Sequence, residues 1–176
     1  MTKSDLLKRT LAEDLSDTEI FPVVDPNGTV IGRATRHECH SGSMLLHPVV
    51  HLHVFIPHGE LYPQKRSMGK FIQPGKWDTS VGGHVAYGET PLEALHREAG
   101  EEIGFHDFEP IKAAQYVFES SKERELVYTY YCVTSFTDFK CDPLDPTFTL
   151  SFADLLLAKG LRGREAGAVS YKFSFS

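Results

Sequence analysis

GHVAYGETPLEALHREAGEEIGF, residues 83–105, is the stretch on which the fold turns. Thr90 is a good N-cap, Pro91 fits the first helical position, and Glu93 three residues on completes a T-x-x-E capping box. Gly104 suits the left-handed position just past a helix C-terminus. Together these signals predict a helix over about residues 91–103. At 100° per residue Leu92, Leu95, Ala99 and Ile103 share one stripe, which should face the core. Glu98, Glu101 and Glu102 share another, roughly 110° further round. Carboxylates spaced i, i+3 and i+4 repel one another. Such a face is either merely solvated or holds a hard cation, since Mg²⁺ takes oxygen ligands and bridges to phosphates. The glutamates alone do not decide between the two.

Working outward, Phe21–Asp25 and Thr29–Thr35 flank Pro26-Asn27-Gly28 and read as a β-hairpin. Val49–Pro57, rich in β-branched and aromatic residues, and Glu60–Lys65 read as a second hairpin around His58-Gly59. A loop over 67–76 precedes a short strand, Trp77–Val81, that runs into Gly82-Gly83. Strands are expected at 111–119 and 125–136, separated by the charged loop Ser120–Glu123. Residues 3–14 have helical spacing, 151–159 (SFADLLLAK) reads as a helix ended by Gly160, and 161–176 is either a tail or an added strand. Alternating strands and helices of this kind make a mixed α/β domain.

The chain has 176 residues, enough for one domain and few for two, so a single domain over 1–176 is expected, with a helical extension over 1–20. Its 41% hydrophobic and 24% charged residues are those of a soluble globular protein. No apolar run approaches the roughly 20 residues of a membrane helix, and no membrane partner is expected. Three cysteines, Cys39, Cys132 and Cys141, lack zinc-type spacing and point to reduced thiols and a cytoplasmic location. The net charge is −6, with no basic stripe of the kind that grips a nucleic-acid polymer. An acidic protein can still bind phosphates when metal ions stand between the two.

Residues 83–105 match G-x5-E-x7-R-E-U-x-E-E-x-G-U at every fixed position, through Gly83, Glu89, Arg97, Glu98, Glu101, Glu102 and Gly104, with Ala99 and Phe105 at the apolar positions. The chain thereby resembles the Nudix hydrolases. That resemblance implies an α/β/α sandwich around a mixed sheet and an enzyme that hydrolyses diphosphate linkages. It implies that Glu98, Glu101 and Glu102 bind Mg²⁺ or Mn²⁺, helped by the carbonyl of Gly83. Arg97 would orient the glutamates and Glu89 would brace the loop against the helix. The metal would neutralise the diphosphate and lower the pKa of a bound water. A carboxylate, Glu101 or Glu102 or one outside the box, would take the proton.

A second resemblance lies around the box. Arg66-x3-Lys70, then Pro74-Gly75-x-Trp77-x2-Ser80-Val81-x-Gly83-His84, is similar to the type I isopentenyl-diphosphate isomerases, which share the Nudix fold. In those enzymes the arginine and lysine hold the substrate diphosphate. A second divalent metal there is bound by a histidine at the position of His84, two histidines seven residues apart, and an E-x-E pair. His40, His47, Glu123 and Glu125 supply that pattern here. The departure is Gly82, which stands where the isomerases carry a catalytic cysteine. A glycine can neither protonate nor deprotonate carbon.

Hydrolysis of a small-molecule diphosphate, such as a nucleoside diphosphate derivative, is therefore the leading expectation. An isomerase-like enzyme acting on prenyl diphosphates and a non-catalytic nucleotide sensor are the alternatives. A homodimer is left open. His51 and His53 alternate with apolar neighbours on a strand and read as packed or surface residues rather than ligands. Tyr128, Tyr130 and Tyr131 read as core.

Overall fold

The computed structural model describes residues 17–55, 57, 61–65, 77–135 and 139. The expected helices at 3–14 and 151–159, the segment 161–176, and both Arg66 and Lys70 lie outside the described residues. The elements are β1 (Ile20–Val24), β2 (Val30–Thr35), α1 (Arg36–His40), β3 (Leu46–Phe55), β4 (Leu61–Tyr62), β5 (Gln64–Lys65), β6 (Trp77–Asp78), β7 (Val81–His84), α2 (Pro91–Ile103), β8 (Ile111–Glu119) and β9 (Arg124–Val133). β1 pairs with β2 and β5 with β6, while β4-β3-β9-β8 follow one another in a sheet that β7 joins on β3. The fold is mixed α+β with a mixed sheet and few helices, as the sequence led us to expect.

By internal contacts the chain forms two compact units. The first comprises Met1–Val50, His84–Ala94 and Ala114–Tyr128. Its β1–β2 hairpin is antiparallel, with Phe21 opposite Ala34 and Ile20 opposite Thr35. The turn works because the Asp25 carboxylate accepts from the N–H groups of Asn27 and Thr29, both at 2.9 Å. Gly28 has φ +89°, and a Cβ there would come within 3.0 Å of the Tyr128 hydroxyl. Only glycine meets both conditions. Phe21, Ala34 and Cys39 form a small buried cluster beneath the hairpin.

The second unit comprises His51–Gly83, Leu95–Ala113 and Thr129–Ser176. Two of its buried hydroxyls are held by hydrogen bonds: the Ser80 hydroxyl accepts from Val54 N–H at 2.8 Å and donates to the Tyr62 carbonyl. The Thr79 hydroxyl donates to the Val81 carbonyl at 2.9 Å.

β3 is buried along most of its length, as a strand flanked by others should be. It begins at Leu46, three residues before the sequence predicts. Pro48 is tolerated because only its carbonyl is needed, as acceptor for Val85 N–H at 3.1 Å. α2 spans the residues predicted for it. The Thr90 hydroxyl accepts from Glu93 N–H at 3.3 Å, and the Glu93 carboxylate accepts from Thr90 N–H at 2.8 Å. Gly104, at φ +64°, ends the helix, its N–H donating to the Gly100 carbonyl. Ala94, Leu95, Ala99 and Ile103 are buried, whereas Leu92 is 46% exposed. Leu92 has the right angle for the core stripe but sits in the first turn, before the buried part of the helix begins.

His53, 3% exposed on β3, has its pKa pushed down to about 4 by burial, then by the neighbouring His51, with the Asp78 carboxylate opposing. Its folded pKa thus lies below its unfolded value near 6.5. Stability is then fully present above pH 6.5 and lost as pH falls towards 4. The wild type should lose about 2 kcal/mol more than His53→Leu between pH 7.5 and pH 5, by urea denaturation. Equal losses in the two proteins would contradict this.

Candidate functional site

The chemistry-bearing residues gather in two clusters. The first lies in the second unit, where α2 runs past Gly82 and Gly83 on β7. Glu98 is 15% exposed, and Arg97 Nη1 donates to its Oε1 at 2.7 Å. The same Nη1 reaches Glu101 Oε2 at 3.3 Å, although that carboxylate is 62% exposed. Glu102 Oε2 accepts from the Gly82 N–H at 3.1 Å. A Cβ on Gly83 would fall within 3.0 Å of Glu98 Cγ, Cδ and Oε1. Gly83 is therefore glycine because the Glu98 side chain lies against its backbone. The helix period turns the three glutamates to one side, Arg97 ties two of them together, and the strand receives two. In the first unit, the Glu89 carboxylate accepts from Ala86 N–H at 3.0 Å. It braces the loop that leads into α2.

The second cluster lies wholly in the first unit. His40, His47 and His84 each offer a ring nitrogen, and these atoms lie within 4.8 Å of one another. His40 Nε2 is 3.1 Å from His84 Nε2. Phe21 stacks on His84 at 4.5 Å between ring centres and 2° between planes, and on His47 at 5.8 Å and 15°. His47 Nδ1 is 3.0 Å from the Leu45 carbonyl, which fixes Nδ1 as the protonated nitrogen. Its Nε2 is then a buried acceptor with no hydrogen-bond partner among the described residues. Burial lowers the His47 pKa, opposed by the Leu45 carbonyl. Such a ring is neutral, as a metal ligand must be.

His40 Nδ1 meets Glu123 Oε2 in a short contact. That hydrogen bond holds the Glu123 carboxyl below its usual pKa, with burial opposing. Glu123 thus reaches the cluster through His40. Glu125, two residues on in β9, is partly buried. The mutually close group of donors among the described residues comprises the three histidines.

Sequence reasoning missed α1, the short helix that ends on His40. Its signal was present in Thr35-x-x-Glu38, the same capping box that marks α2. The Thr35 side chain accepts from Glu38 N–H, and the Glu38 carboxylate accepts from Thr35 N–H. Phe21 was missed as well. An isolated aromatic in a strand gives no sign that it will stack on two histidines remote in sequence.

Comparison with known proteins identifies the family and the fold. The model of the NUDIX domain matches residues 45–164. The curated relatives matched first are named isopentenyl-diphosphate Delta-isomerase, and the chain spans about half their length. Isopentenyl-diphosphate Delta-isomerase 2 of Photorhabdus laumondii is 31% identical over 146 residues, 81% of each chain. A Nudix hydrolase of Nostoc, uncharacterized by its name, is 40% identical over 89 residues, 51% of this chain and 53% of that one. The crystal structure of DR0079 from Deinococcus radiodurans superposes with a TM-score of 0.63 at 26% identity. It covers 84% of this chain and 92% of its own.

Proposed function

The chain belongs to the Nudix hydrolase family, and from that premise we propose that it is a metal-dependent pyrophosphohydrolase acting on a small-molecule diphosphate, with Glu98, Glu101 and Glu102 as its acidic metal ligands. The observation that carries this reading is the convergence of Glu98 and Glu102 on the Gly82-Gly83 backbone, with Arg97 as counter-ion. Glutamate oxygens beside an open backbone are the donor set that Mg²⁺ or Mn²⁺ prefers. When bound, such an ion neutralises the diphosphate and makes a nucleophile of bound water.

The chain's own residues do the rest. Arg97 sets the orientation of Glu98 and Glu101, and Gly83 leaves room for Glu98. Glu102 accepts from the Gly82 N–H, which holds its carboxylate against β7. Glu101, the most exposed of the three, is free to meet water and receive its proton. Arg66 and Lys70 are assigned to the substrate phosphates by their resemblance alone.

The histidine cluster fits a second divalent ion. Its support is the buried Nε2 of His47, without a hydrogen-bond partner among the described residues and within 4.8 Å of ring nitrogens of His40 and His84. Nitrogen donors favour Zn²⁺ or Mn²⁺ over Mg²⁺. Glu123 and Glu125 would serve this site, Glu123 by its bond to His40. Metal-stripped protein should bind Zn²⁺ in equilibrium dialysis, and His47→Ala should weaken binding by at least about tenfold. Equal affinity in both proteins would remove the site.

A second reading, an enzyme acting on prenyl diphosphates, is favoured by the same histidines and by the isomerase-named relatives. Gly82, without a side chain, speaks against isomerisation. A product-resolved screen with Mg²⁺ and Mn²⁺ separates the readings. Its substrates are nucleotide sugars, dinucleoside polyphosphates, CoA, NADH, ADP-ribose and isopentenyl diphosphate. Release of phosphate-containing products supports hydrolysis. Conversion of isopentenyl diphosphate to its isomer would replace that reading, and silence across the panel would favour a nucleotide sensor.

A further inference from the structure

We propose that Phe21 is a positioning residue of the histidine site, a ring that fixes the planes of His47 and His84 so that their nitrogens converge before an ion arrives. The inference rests on the reading of that cluster as a second metal site, and it concerns a side chain that cannot itself be a ligand.

A neutral imidazole offers a cation one lone pair, which lies in the plane of the ring. The Cβ–Cγ torsion that sets this plane is broad for histidine. A ring left to turn about that bond carries its lone pair out of line. Holding the ring still removes an ordering cost that metal binding must otherwise meet.

Phe21 supplies such a hold, within the first unit. Its ring is parallel to that of His84, with 2° between planes and 4.5 Å between centres. It lies within 15° of the plane of His47, at 5.8 Å. The two imidazoles are in turn within 15° of each other, at 5.5 Å. Turning either of them about its Cβ–Cγ bond breaks the stack on Phe21. His40 is set differently. It stands at 78° to His47 and 90° to His84, and its Nδ1 meets Glu123. A carboxylate thus orients one imidazole and an aromatic face orients two, and the ring nitrogens of all three come within 4.8 Å of one another.

Phe21 is well placed to act as the fixed member of the stack. It is fully buried, lies opposite Ala34 in the β1–β2 hairpin, and packs in the small cluster with Ala34 and Cys39. The Arg36 guanidinium lies 5.8 Å from its ring centre and is itself held by Glu19 at 3.1 Å. A cation over an aromatic face adds to the hold. Filling the space beneath the hairpin needs only an apolar side chain of similar size. Keeping two imidazoles parallel to it needs a flat one.

That difference is the basis of the test, made on the full chain stripped of metal and dialysed against Zn²⁺. Phe21→Leu keeps apolar bulk and removes the flat face, and it should weaken Zn²⁺ binding by about 10- to 100-fold. Phe21→Tyr keeps the face but adds a buried hydroxyl, so it should melt lower and still bind within about threefold of wild type. Val24→Ala, which opens a cavity elsewhere on the same strand, should likewise lower the melting midpoint and leave binding within about threefold. Phe21→Met is read as Phe21→Leu is, should the Leu variant not fold. A loss of less than tenfold in the folded Leu or Met variant overturns the proposal. So does an equal loss in Val24→Ala or Phe21→Tyr, because damage to the hairpin would then be the cause. His47→Ala, run alongside, separates the two layers. If it loses Zn²⁺ while Phe21→Leu retains it, the metal site stands and only the role of Phe21 falls. If His47→Ala binds as wild type does, the site and its positioning residue fall together.

Discussion

Glu102→Gln should lower the turnover of the best substrate on the order of 10³-fold, about 4 kcal/mol of transition-state stabilisation, at saturating Mg²⁺. The substitution is nearly isosteric. Its side-chain carbonyl can still accept from Gly82 N–H, so the 3.1 Å contact and the local fold should survive. What disappears is the negative charge and one oxygen able to face a cation. An effect of this size in kcat, with an unchanged melting midpoint, can come only from the chemistry. A rate within tenfold of wild type would exclude Glu102 from the reaction and would weaken the case for hydrolysis.

Gly83→Ala should be almost as damaging for a different reason. The new methyl would come within 3.0 Å of three atoms of Glu98, with backbone on one side and the helix on the other. Glu98 must move, taking with it the oxygen that Arg97 now holds at 2.7 Å. Displacement of a catalytic group by about 1 Å costs roughly 10²-fold in rate. Overpacking should add about 1–3 kcal/mol of destabilisation. The double variant Gly83→Ala, Glu98→Ala should recover the stability, since the clash is gone, and none of the activity. Should the double variant melt as low as Gly83→Ala, the clash with Glu98 would not be the cause.

The helix, its caps and the shared face of the three glutamates were legible in the sequence because all depend on neighbours within one or two turns. Thr90, Pro91, Glu93 and Gly104 each act on backbone groups at most four residues away, so their spacing carries the information. The β1–β2 hairpin was legible on the same grounds, through the turn at Pro26-Asn27-Gly28. The histidine cluster was only half legible. His40, His47, His84 and Glu123 are brought together from a helix end, two strands and a loop, and spacing cannot encode such an encounter. Resemblance to the isomerases supplied the residues, and the geometry adds that Glu123 contacts the ring of His40.

Arg97 has a practical consequence. Because its guanidinium already bridges Glu98 and Glu101, like-charge repulsion on the acidic face is relieved before any ion arrives. Folding then does not wait on metal at this site. Dialysis against a chelator should yield a folded apoprotein, and loading it again becomes an exchange in which the incoming ion competes with an arginine for the same oxygens. At the proposed metal site, affinity would thereby be set lower than the bare charge would give, which would favour an ion that comes and goes with its substrate over one that is permanently installed.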